Sequence, residues 1–435
     1  MDFRPTERSA KLSSQVRDFM DQEVIPNEER YLREIADSGN PFHCPPAMEE
    51  LRGKARRAGL WNLALQHTEW GGLGLSNVEF APVCEEMGRS MMGPEVFNCH
   101  PPDAGNMSTL ANCGSQAQQE RWLIPLIDGE ISTCFSMTEP DVASSDAHNI
   151  SARIERDGDE LVINARKWFS TGAARDSCKV CIFVGVIDPD AKPFPAQAMV
   201  LIPLDTPGVK VVRTLSIFGY QQSISHGEIE FTDVRVPADS LLQGDGFGAS
   251  QARLSPGRIH HSLRAIGMAE RALTVMCERV ANRETFGTRL ADQGVIRDWI
   301  ARSRIEIEQA RLLTLKAAWA MDEGLDSRRE IAAVKVVAPQ VALDILDRAI
   351  QAHGAAGLSQ DTVLAELWAQ ARTLRILDGP DEVHIRSLGR WELRSQLEPA
   401  KEEDAPAPAK EEPASEEKGH RPLRGVGSQQ RDPLL

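Results

Sequence analysis

The sequence has no long apolar run and no excess of basic residues, and each absence excludes a class of protein. No stretch approaches the roughly 18 consecutive apolar residues of a membrane-spanning helix. The 435 residues include 49 Lys and Arg against 64 Asp and Glu, which gives a net charge of −15. Non-specific nucleic-acid binding requires a basic face, so we expect no nucleic-acid partner, although a local basic pocket for an anionic ligand is compatible with this balance. The opening MDFRPTERSA has neither a signal-peptide nor a transit-peptide pattern, which predicts a cytoplasmic protein.

Two common ligand-binding signatures are also missing. The eight cysteines have no framework spacing, and Cys178-Lys-Val-Cys181 lacks the second pair that a zinc site requires. We therefore expect buried reduced thiols and no metal. The segment GDGFGAS at 244–250 is rich in glycine but is not part of a strand–loop–helix dinucleotide unit, so it predicts a turn that enters a helix.

The chain changes character twice along its length. Apolar residues recur at helical spacing at both ends, whereas short β-branched runs separated by turns such as RDGDE and DPDAKPFP fill the middle. The helices are predicted at 11–37, 46–58, 77–90 and 115–127, and again at 255–282, 292–322 and 327–353. The predicted domains are an N-terminal helical domain (1–132), an antiparallel β domain (133–240), a C-terminal helical domain (241–397) and a Pro- and Glu-rich disordered tail (398–435).

Five motifs occur in a fixed order along the chain. They are CFSMTEPDVASSDAHNI (134–150), RKWFSTGA (166–173), NRETFGTRLADQ (282–293), QAHGAAG (351–357) and RILDGPDE (375–382). Together they resemble the acyl-CoA dehydrogenase family over about residues 1–397. The resemblance implies an α+β fold in which the C-terminal helical domain is a four-helix bundle. It also implies that FAD and an acyl-CoA bind between this bundle and the β domain, in a homo-oligomer that is usually a homotetramer.

The resemblance also implies which residues surround the flavin. A flavin that accepts a hydride needs hydrogen-bond donors around its N5–O4 edge and its pyrimidine end, and an apolar plane behind it. By the resemblance, Thr138 lies at the N5 edge, Phe169 stacks on the ring and Ser144 lies on the pyrophosphate and substrate side. This serine loop is one residue longer than the common pattern, so Ser145 fits as well. The alternative role of Phe169 and Trp168 is packing in the hydrophobic core, and this alternative is the stronger one for Trp168. The other implied flavin neighbours are the backbones of Phe135 and Met137 and the hydroxyl of Thr171.

A second group is implied to reach the FAD of a neighbouring subunit. A guanidinium suits a pyrophosphate because it donates two parallel hydrogen bonds, so Arg283 is the leading candidate, with a surface charge as the alternative. If these roles hold, the active site requires at least a dimer. The group comprises Arg283, Thr285, Phe286, Gln293, Gln351 and Gly354, and Pro380 and Glu382 are further expected cofactor neighbours.

The segment RILDGPDEVHIR contains three carboxylates, and one of them is the expected catalytic base. Most family members have a glutamate followed by Gly-Thr in this loop, and here Asp378 with Gly379-Pro380 occupies that place. Aspartate is shorter by about 1.5 Å, and misplacement by about that much can cost roughly 10²-fold in rate. The alternative base position, just before Arg258, is Gly257. Three alternatives follow. Asp378 acts as the base because the backbone is shifted to suit the shorter side chain, or the reaction differs from that of the family. The third, ranked last, is an inactive site in which Asp378 is structural. A working Asp378 is expected to have a pKa raised by desolvation between the flavin and the thioester.

The acyl pocket is expected to be unusually polar. CHPPDAGNM at 99–107 falls where relatives line this pocket, and it supplies His100, Asp103 and Asn106, while Arg258 opens the nearby helix. Buried polar groups need partners, which points to a hydroxylated or anionic acyl chain. A surface loop is an equally ranked alternative.

Three functions are therefore predicted. The first is FAD-dependent α,β-dehydrogenation of an acyl-CoA to a 2-enoyl-CoA, with electrons passed to an electron-transfer flavoprotein. The second follows from the wording of stretches such as GRIHH and DGPDEVH, which resembles a branch that is fused to a kinase domain in some organisms. That branch implies elimination of phosphate from a 4-phosphoacyl-CoA in 4-hydroxy acid catabolism. The third is a non-catalytic CoA-ester-binding or scaffold protein.

Overall fold

The computed structural model describes residues 4–192, 194–220 and 225–397, so the predicted tail at 398–435 lies outside the described residues. The N-terminal part is helical, as predicted. Ser76 begins one of its helices with a capping box, in which its hydroxyl accepts from the N–H of Glu79 and the Glu79 side chain accepts from the N–H of Ser76. The helices are α1 (Glu7–Phe19), α2 (Glu28–Ser38), α3 (Pro46–Arg57), α4 (Asn77–Met87), α5 (Gly93–Val96), α6 (Asp103–Cys113), α7 (Gln116–Gln118) and α8 (Ile124–Ile127).

The middle of the chain forms one curled seven-stranded sheet. Its order is β1-β4-β2-β3-β7-β6, with β5 paired to β4. The strands are β1 (Ser132–Ser136), β2 (Arg153–Asp157), β3 (Glu160–Thr171), β4 (Cys178–Asp188), β5 (Ala196–Pro203), β6 (Val209–Thr214) and β7 (His226–Pro237).

The sheet is mixed rather than purely antiparallel, which corrects the prediction. β1 and β4 run parallel and pair Cys134 with Cys181. The two strands are separated in sequence by β2 and β3, and a pairing between such distant strands cannot be read from the alternation of side chains.

All eight cysteines are free thiols.

Long helices return after the sheet. They are α9 (Gly246–Asn282), α10 (Gly294–Asp322), α11 (Arg328–His353), α12 (Leu364–Leu374) and α13 (Asp381–Leu397), and a short hairpin of β8 (Glu284–Thr285) and β9 (Thr288–Arg289) follows α9. The predicted start of α9 at residue 255 is wrong by nine residues. Asp245 caps Phe247, and the helix continues through Pro256, although proline is typical of a first turn and misled the prediction.

Two hydrophobic cores hold these parts together. One is shared by the N-terminal helices and the C-terminal bundle, and the other fills the sheet region. In the first core α4 and α9 cross at backbone contact, because a Cβ on Gly267 would lie 2.2 Å from the carbonyl oxygen of Glu85. This crossing fixes the stretch of α9 from 257 to 264 against the rest of the molecule.

Among the described residues, no helix is long and apolar enough to cross a membrane.

Candidate active site

A cavity of about 880 Å³ lies between the sheet, α9 and the segment that joins α12 to α13. Apolar side chains such as Leu63, Phe80 and Leu377 form part of its wall. Three acidic residues line it, Glu139, Asp146 and Asp378. The lining arginines are Arg253, Arg258, Arg264, Arg372, Arg386 and Arg390. Arginines therefore outnumber acidic residues in the wall of this cavity, although the chain as a whole has a net charge of −15.

Asp378 is the carboxylate of RILDGPDEVHIR that lines this cavity. Asp381 does not line it, because it is buried behind the loop and accepts from Arg375 at 2.6 Å. Glu382 is exposed in the first turn of α13 and is not part of the cavity wall, unlike its neighbour Pro380. The structure therefore brings one of the three carboxylates into the site.

The loop around Asp378 has an unusual backbone that three side chains support. Asp378 and Gly379 have φ of 55° and 100°, and a Cβ on Gly379 would lie 2.9 Å from the imidazole Nε2 of His384. The Nε of Arg258 donates to the carbonyl oxygen of Asp378 at 2.9 Å. The buried ammonium of Lys335, on α11, donates to the carbonyl oxygen of Leu374 and faces that of Gly379 at 3.4 Å. This loop is thus held from both α9 and α11.

The charge state of Asp378 in the single chain is determined by its neighbours. Burial raises its pKa, but the hydrogen bond from His261 and the charges of Arg258 and Arg253 outweigh burial, and the net pKa lies well below the usual range. The expected rise in pKa between a flavin and a thioester stays a prediction. The carboxylate is ionised throughout the neutral range, which is the state in which it can accept a proton.

Three arginines on α9, of which Arg258 and Arg264 are buried and Arg253 is half-buried, surround this carboxylate without forming a salt bridge. Arg253 lies 4.0 Å over the ring of Phe135 and donates to the side-chain oxygen of Asn106, at 3.0 Å. Arg258 donates to a carbonyl, and Arg264 contacts His261. Burial lowers the pKa of Arg253 to about 10. In the described ranges, no carboxylate oxygen lies within 4 Å of these three guanidinium groups, so this end of the cavity carries an excess of positive charge.

The β domain provides the opposite wall. Thr138 donates to the carbonyl oxygen of Trp168 at 2.7 Å, which joins the MTEP loop to β3. Phe169 has a φ of 48° at an irregularity in β3, and its side chain is 42% exposed at the cavity. An aromatic residue rarely adopts this backbone, and such outliers cluster at ligand sites. The predicted flavin neighbours Phe135, Met137, Thr138, Ser144, Phe169 and Thr171 all line the cavity.

A buried ion pair supports this wall from behind. Lys167 donates to Glu139 at 2.7 Å and to the carbonyl oxygen of Met137 at 2.8 Å. Burial lowers the pKa of Lys167 to about 8, and the charge of Glu139 opposes that shift. Glu139 also accepts from the N–H groups of Ser151 and Ala152. The pair fixes the position of the loop that carries Thr138.

His100, Asp103 and Asn106 are buried but do not line the cavity, so the predicted contact with an acyl group is not what the structure shows. Asp103 accepts from the N–H of Thr133 at 2.8 Å and lies 3.0 Å from the Nε2 of His100. The alternative of a surface loop is also wrong, because Asp103 begins helix α6 and is 2% exposed. These residues attach α6 to β1, and Asn106 orients Arg253.

The residues predicted to reach a neighbouring subunit lie away from the cavity. They occupy the end of the bundle where α9 and α11 finish, and Arg279 links these ends through the carbonyl oxygen of His353, at 3.5 Å. Phe286, at the tip of the β8–β9 hairpin, is 99% exposed. Arg283, Thr285, Phe286, Gln293, Gln351 and Gly354 are all absent from the cavity wall of the single chain.

Sequence reasoning missed Arg253, Arg264 and Lys335. Arg253 and Arg264 lie five residues before and six after Arg258 on the same helix, so continuing that helix toward its N-terminus would have drawn attention to Arg253. Lys335 has no such signal, because its contact with the Asp378 loop joins two distant segments.

Known proteins resemble this chain along almost its whole described length. Family models of acyl-CoA dehydrogenases match it in three consecutive parts: the N-terminal domain at 6–130, the middle domain at 134–234 and the C-terminal domain at 244–393. This chain belongs to the acyl-CoA dehydrogenase family. The resemblance inferred from the five motifs is thereby confirmed, together with the helical, β, helical fold.

Three relatives within this family are similar to the chain over about nine tenths of its length. A Mycobacterium tuberculosis protein named as a probable acyl-CoA dehydrogenase, FadE2, is 50% identical over 399 residues, which are 90% of this chain and 97% of that protein. Acyl-CoA dehydrogenase family member 11 of Gallus gallus is 46% identical over 91% of this chain, which spans only 52% of that longer relative. A solved acyl-CoA dehydrogenase homologue from Mycobacterium abscessus is 47% identical with a TM-score of 0.87, and the match covers 91% of this chain and all of that one.

FAD is the cofactor of this family, and the donor set of the cavity fits it. The wall from 135 to 171 presents hydroxyl groups and backbone edges beside an exposed aromatic ring, and the lining arginines provide charge for a pyrophosphate. The family binds acyl-CoA thioesters and forms oligomers.

Proposed function

We propose that this acyl-CoA dehydrogenase converts an acyl-CoA to a 2-enoyl-CoA and that Asp378 is the base. The single observation that carries the proposal is the position of Asp378, an ionised carboxylate in the cavity wall that two helices hold in place. The bound FAD supplies the acceptor for the two electrons and the hydrogen that leave the β-carbon.

The residues of this chain divide the remaining work. The Asp378 carboxylate takes a proton from the α-carbon, and the electron pair of that C–H bond becomes part of the new α,β double bond. The wall formed by Phe135, Met137, Thr138, Ser144, Phe169 and Thr171 holds the flavin, with Pro380 adjacent to the base. Arg258 fixes the loop of the base by binding its carbonyl oxygen at 2.9 Å.

We further propose that the enzyme is a homo-oligomer in which Arg283 and Phe286 reach the FAD of a partner subunit. Their exposure at one end of the bundle supports this, because side chains that reach the cofactor of a partner subunit must be exposed on their own chain. Electrons then pass to an electron-transfer flavoprotein.

A second reaction is favoured by one observation, the three arginines near Asp378 that lack carboxylate partners. Such an excess of buried charge suits an anionic group on the acyl chain, because an unpaired buried cation is costly. The reaction would release phosphate from the 4-carbon of a 4-phosphoacyl-CoA. The C–O bond breaks, a proton leaves the chain and one carbon–carbon double bond forms, without net oxidation.

Anaerobic mixing distinguishes the two reactions. The FAD-loaded protein is mixed with plain acyl-CoA esters of short to long chain and, separately, with 4-phosphoacyl-CoAs, while the flavin absorbance and free phosphate are followed. Dehydrogenation predicts bleaching by plain esters without phosphate release. Elimination predicts phosphate release with the flavin oxidised at the end, and no reaction with plain esters. A protein that shows neither response, although it binds CoA esters, would support the non-catalytic alternative.

A further inference from the structure

We infer that His261 and Arg264 are positioning residues for the base, acting in the order Arg264, His261, Asp378. The Nη2 of Arg264 lies 2.8 Å from the Nδ1 of His261, and the Nε2 of His261 lies 3.3 Å from the Oδ2 of Asp378. The proposal rests on Asp378 being the base and adds the side chains that orient its carboxylate.

The arginine determines which tautomer of His261 is present. A guanidinium can only donate, so Nδ1 of His261 must accept and carries no proton. The proton of the neutral ring is therefore on Nε2, the nitrogen that faces Asp378. In the opposite tautomer a lone pair would face the carboxylate and repel it.

The ring is neutral when the enzyme works. Burial lowers the pKa of His261 to about 4, and the positive charge of Arg264 adds to this effect, while Asp378 opposes it. His261 therefore acts on Asp378 as a hydrogen-bond donor and does not carry the proton of the reaction. The N–H at Nε2 of His261 holds the Oδ2 of Asp378 in place. The Oδ1 of Asp378 is therefore the oxygen that is available to take the α-proton.

The geometry of α9 explains why these residues reach the same place. His261 and Arg264 are three residues apart and share one face of the helix, and the side chain of Arg264 is 7% exposed. The helix cannot rotate away, because Gly267 and Gly88 bring α9 and α4 into backbone contact one turn further on. A 3.3 Å separation is slightly long for a hydrogen bond, but such contacts often tighten when substrate is bound.

Other titratable groups also face Asp378 and contribute to its electrostatic surroundings. On α9 they are Arg253, Arg258 and Arg264, on α11 the group is Lys335, and on α13 it is His384. Burial lowers the pKa of His384 to about 4, so this ring is neutral above that pH. The arginines keep their charge across the range that an assay covers. His261 is thus the group beside the carboxylate whose hydrogen bond can be removed without changing the net charge at neutral pH.

The test measures proton abstraction rather than the redox reaction. An acyl-CoA carrying deuterium on its α-carbon is incubated in water at neutral pH with the FAD-loaded protein, and loss of the label is followed by NMR. Four variants are compared with the wild type: His261→Ala, His261→Gln, Arg264→Met and Asp378→Asn. His67→Ala is the control, since His67 pairs with Glu69 outside the cavity.

The expected exchange rate of each variant depends on whether a hydrogen-bond donor still faces the carboxylate of Asp378. His261→Ala should slow exchange roughly 10²-fold, the cost of a misplaced base, because the carboxylate loses the donor that holds it. His261→Gln, whose amide can donate, should recover most of this loss. Arg264→Met should give an intermediate loss, because the tautomer is no longer fixed.

Two different failures can be told apart. If Asp378→Asn exchanges as fast as the wild type, the assignment of the base is wrong. If Asp378→Asn is inactive but His261→Ala keeps the rate of the His67→Ala control, the base stands and the positioning role is overturned. Loss of rate in His261→Ala without recovery in His261→Gln would also overturn it.

Discussion

At the scale of single residues, the site is decided by the surroundings of one aspartate. Asp378 lies in the cavity wall, and its backbone has a φ of 55°. Asparagine and aspartate tolerate this conformation better than other residues that have a Cβ. Asn is therefore the cleanest replacement, since it removes the basic oxygen without straining the loop.

The alternative base position can be tested by moving the carboxylate. A Cβ on Gly257 would have one neighbour within 4 Å, the Oδ2 of Asp378 at 3.7 Å, so the two positions face each other across open space. We predict that Asp378→Asn lowers turnover about 10²- to 10⁴-fold, the usual share of a general base, and that adding Gly257→Glu restores at least about 10-fold of this loss. Steady-state turnover of both variants checks this.

The matched control for this relocation is Gly257→Gln in the Asp378→Asn background. It fills the same space without a carboxylate, so it should restore nothing. Equal recovery by Glu and Gln would mean that the side chain acts through packing and that the two positions are not equivalent sites for a base.

At the scale of whole elements, the crossing of α4 and α9 determines where the catalytic face of α9 points. Gly88 and Gly267 are the contact points, and a Cβ on Gly88 would lie 2.6 Å from the Cα of Arg264. Arg258, His261 and Arg264 all lie within nine residues before Gly267. Separation of these helices would therefore move the groups that surround Asp378.

Gly267→Ala should damage both stability and turnover. The new methyl group would meet the carbonyl oxygen of Glu85, and overpacking of this kind usually costs about 1–3 kcal/mol. Thermal unfolding of the variant should begin several degrees lower than for the wild type, and turnover at low temperature should fall as α9 shifts.

Gly389→Ala in α13 provides the comparison. A Cβ there would have no neighbour within 4 Å, and alanine favours a helix over glycine, so this variant should unfold at the wild-type temperature or slightly above it. If Gly267→Ala behaves in the same way, the two helices are not in the tight contact described above.

At the scale of the whole molecule, the residues predicted to bind FAD lie in two places, a cavity and a distant exposed surface. The cavity collects Asp378 and the flavin wall, whereas Arg283, Phe286, Gln293, Gln351 and Gly354 lie at one end of the bundle. Members of this family are typically homotetramers, so a partner subunit can bring these two surfaces together.

Arg283→Gln should release FAD more readily than the wild type. Hydrogen bonds to charged groups contribute about 1.5–3 kcal/mol, which corresponds to roughly 10- to 100-fold in FAD affinity. Fluorescence titration of FAD into the apoprotein measures this, and sedimentation shows whether the oligomer persists. Arg302→Gln, at an exposed pair with Asp298, should bind FAD as the wild type does. Equal affinity in both variants would remove Arg283 from the cofactor site.

Much of the architecture could be predicted from the sequence, because it depends on local patterns. Helical spacing and β-branched runs identified the order of the parts, and the five motifs identified the family. The parallel pairing of β1 with β4 and the start of α9 at Gly246 could not be predicted, since one depends on distant strands and the other on a proline tolerated inside a helix.

The residues predicted around the flavin ring line the cavity, whereas His100, Asp103 and Asn106, predicted on the acyl side, do not. Motif residues such as Thr138 and Phe169 line the cavity because the motif and the contact are in the same short segment. His100 and Asp103 turned away from the cavity, and Arg253 turned into it, because the face that a helix presents depends on what packs against it. The lowered pKa of Asp378 likewise comes from groups on α9 that no local pattern connects with it.

The measurement that tests the central claim most directly is single-turnover reduction of the flavin in the wild type and in Asp378→Asn. Each FAD-loaded protein is mixed anaerobically with an acyl-CoA that bleaches the wild type, and with the same ester deuterated at its α-carbon. If Asp378 is the base, deuterium should slow bleaching in the wild type, and Asp378→Asn should bleach about 10²- to 10⁴-fold more slowly while still binding FAD and the ester. Bleaching of Asp378→Asn at the wild-type rate would show that another group takes the proton.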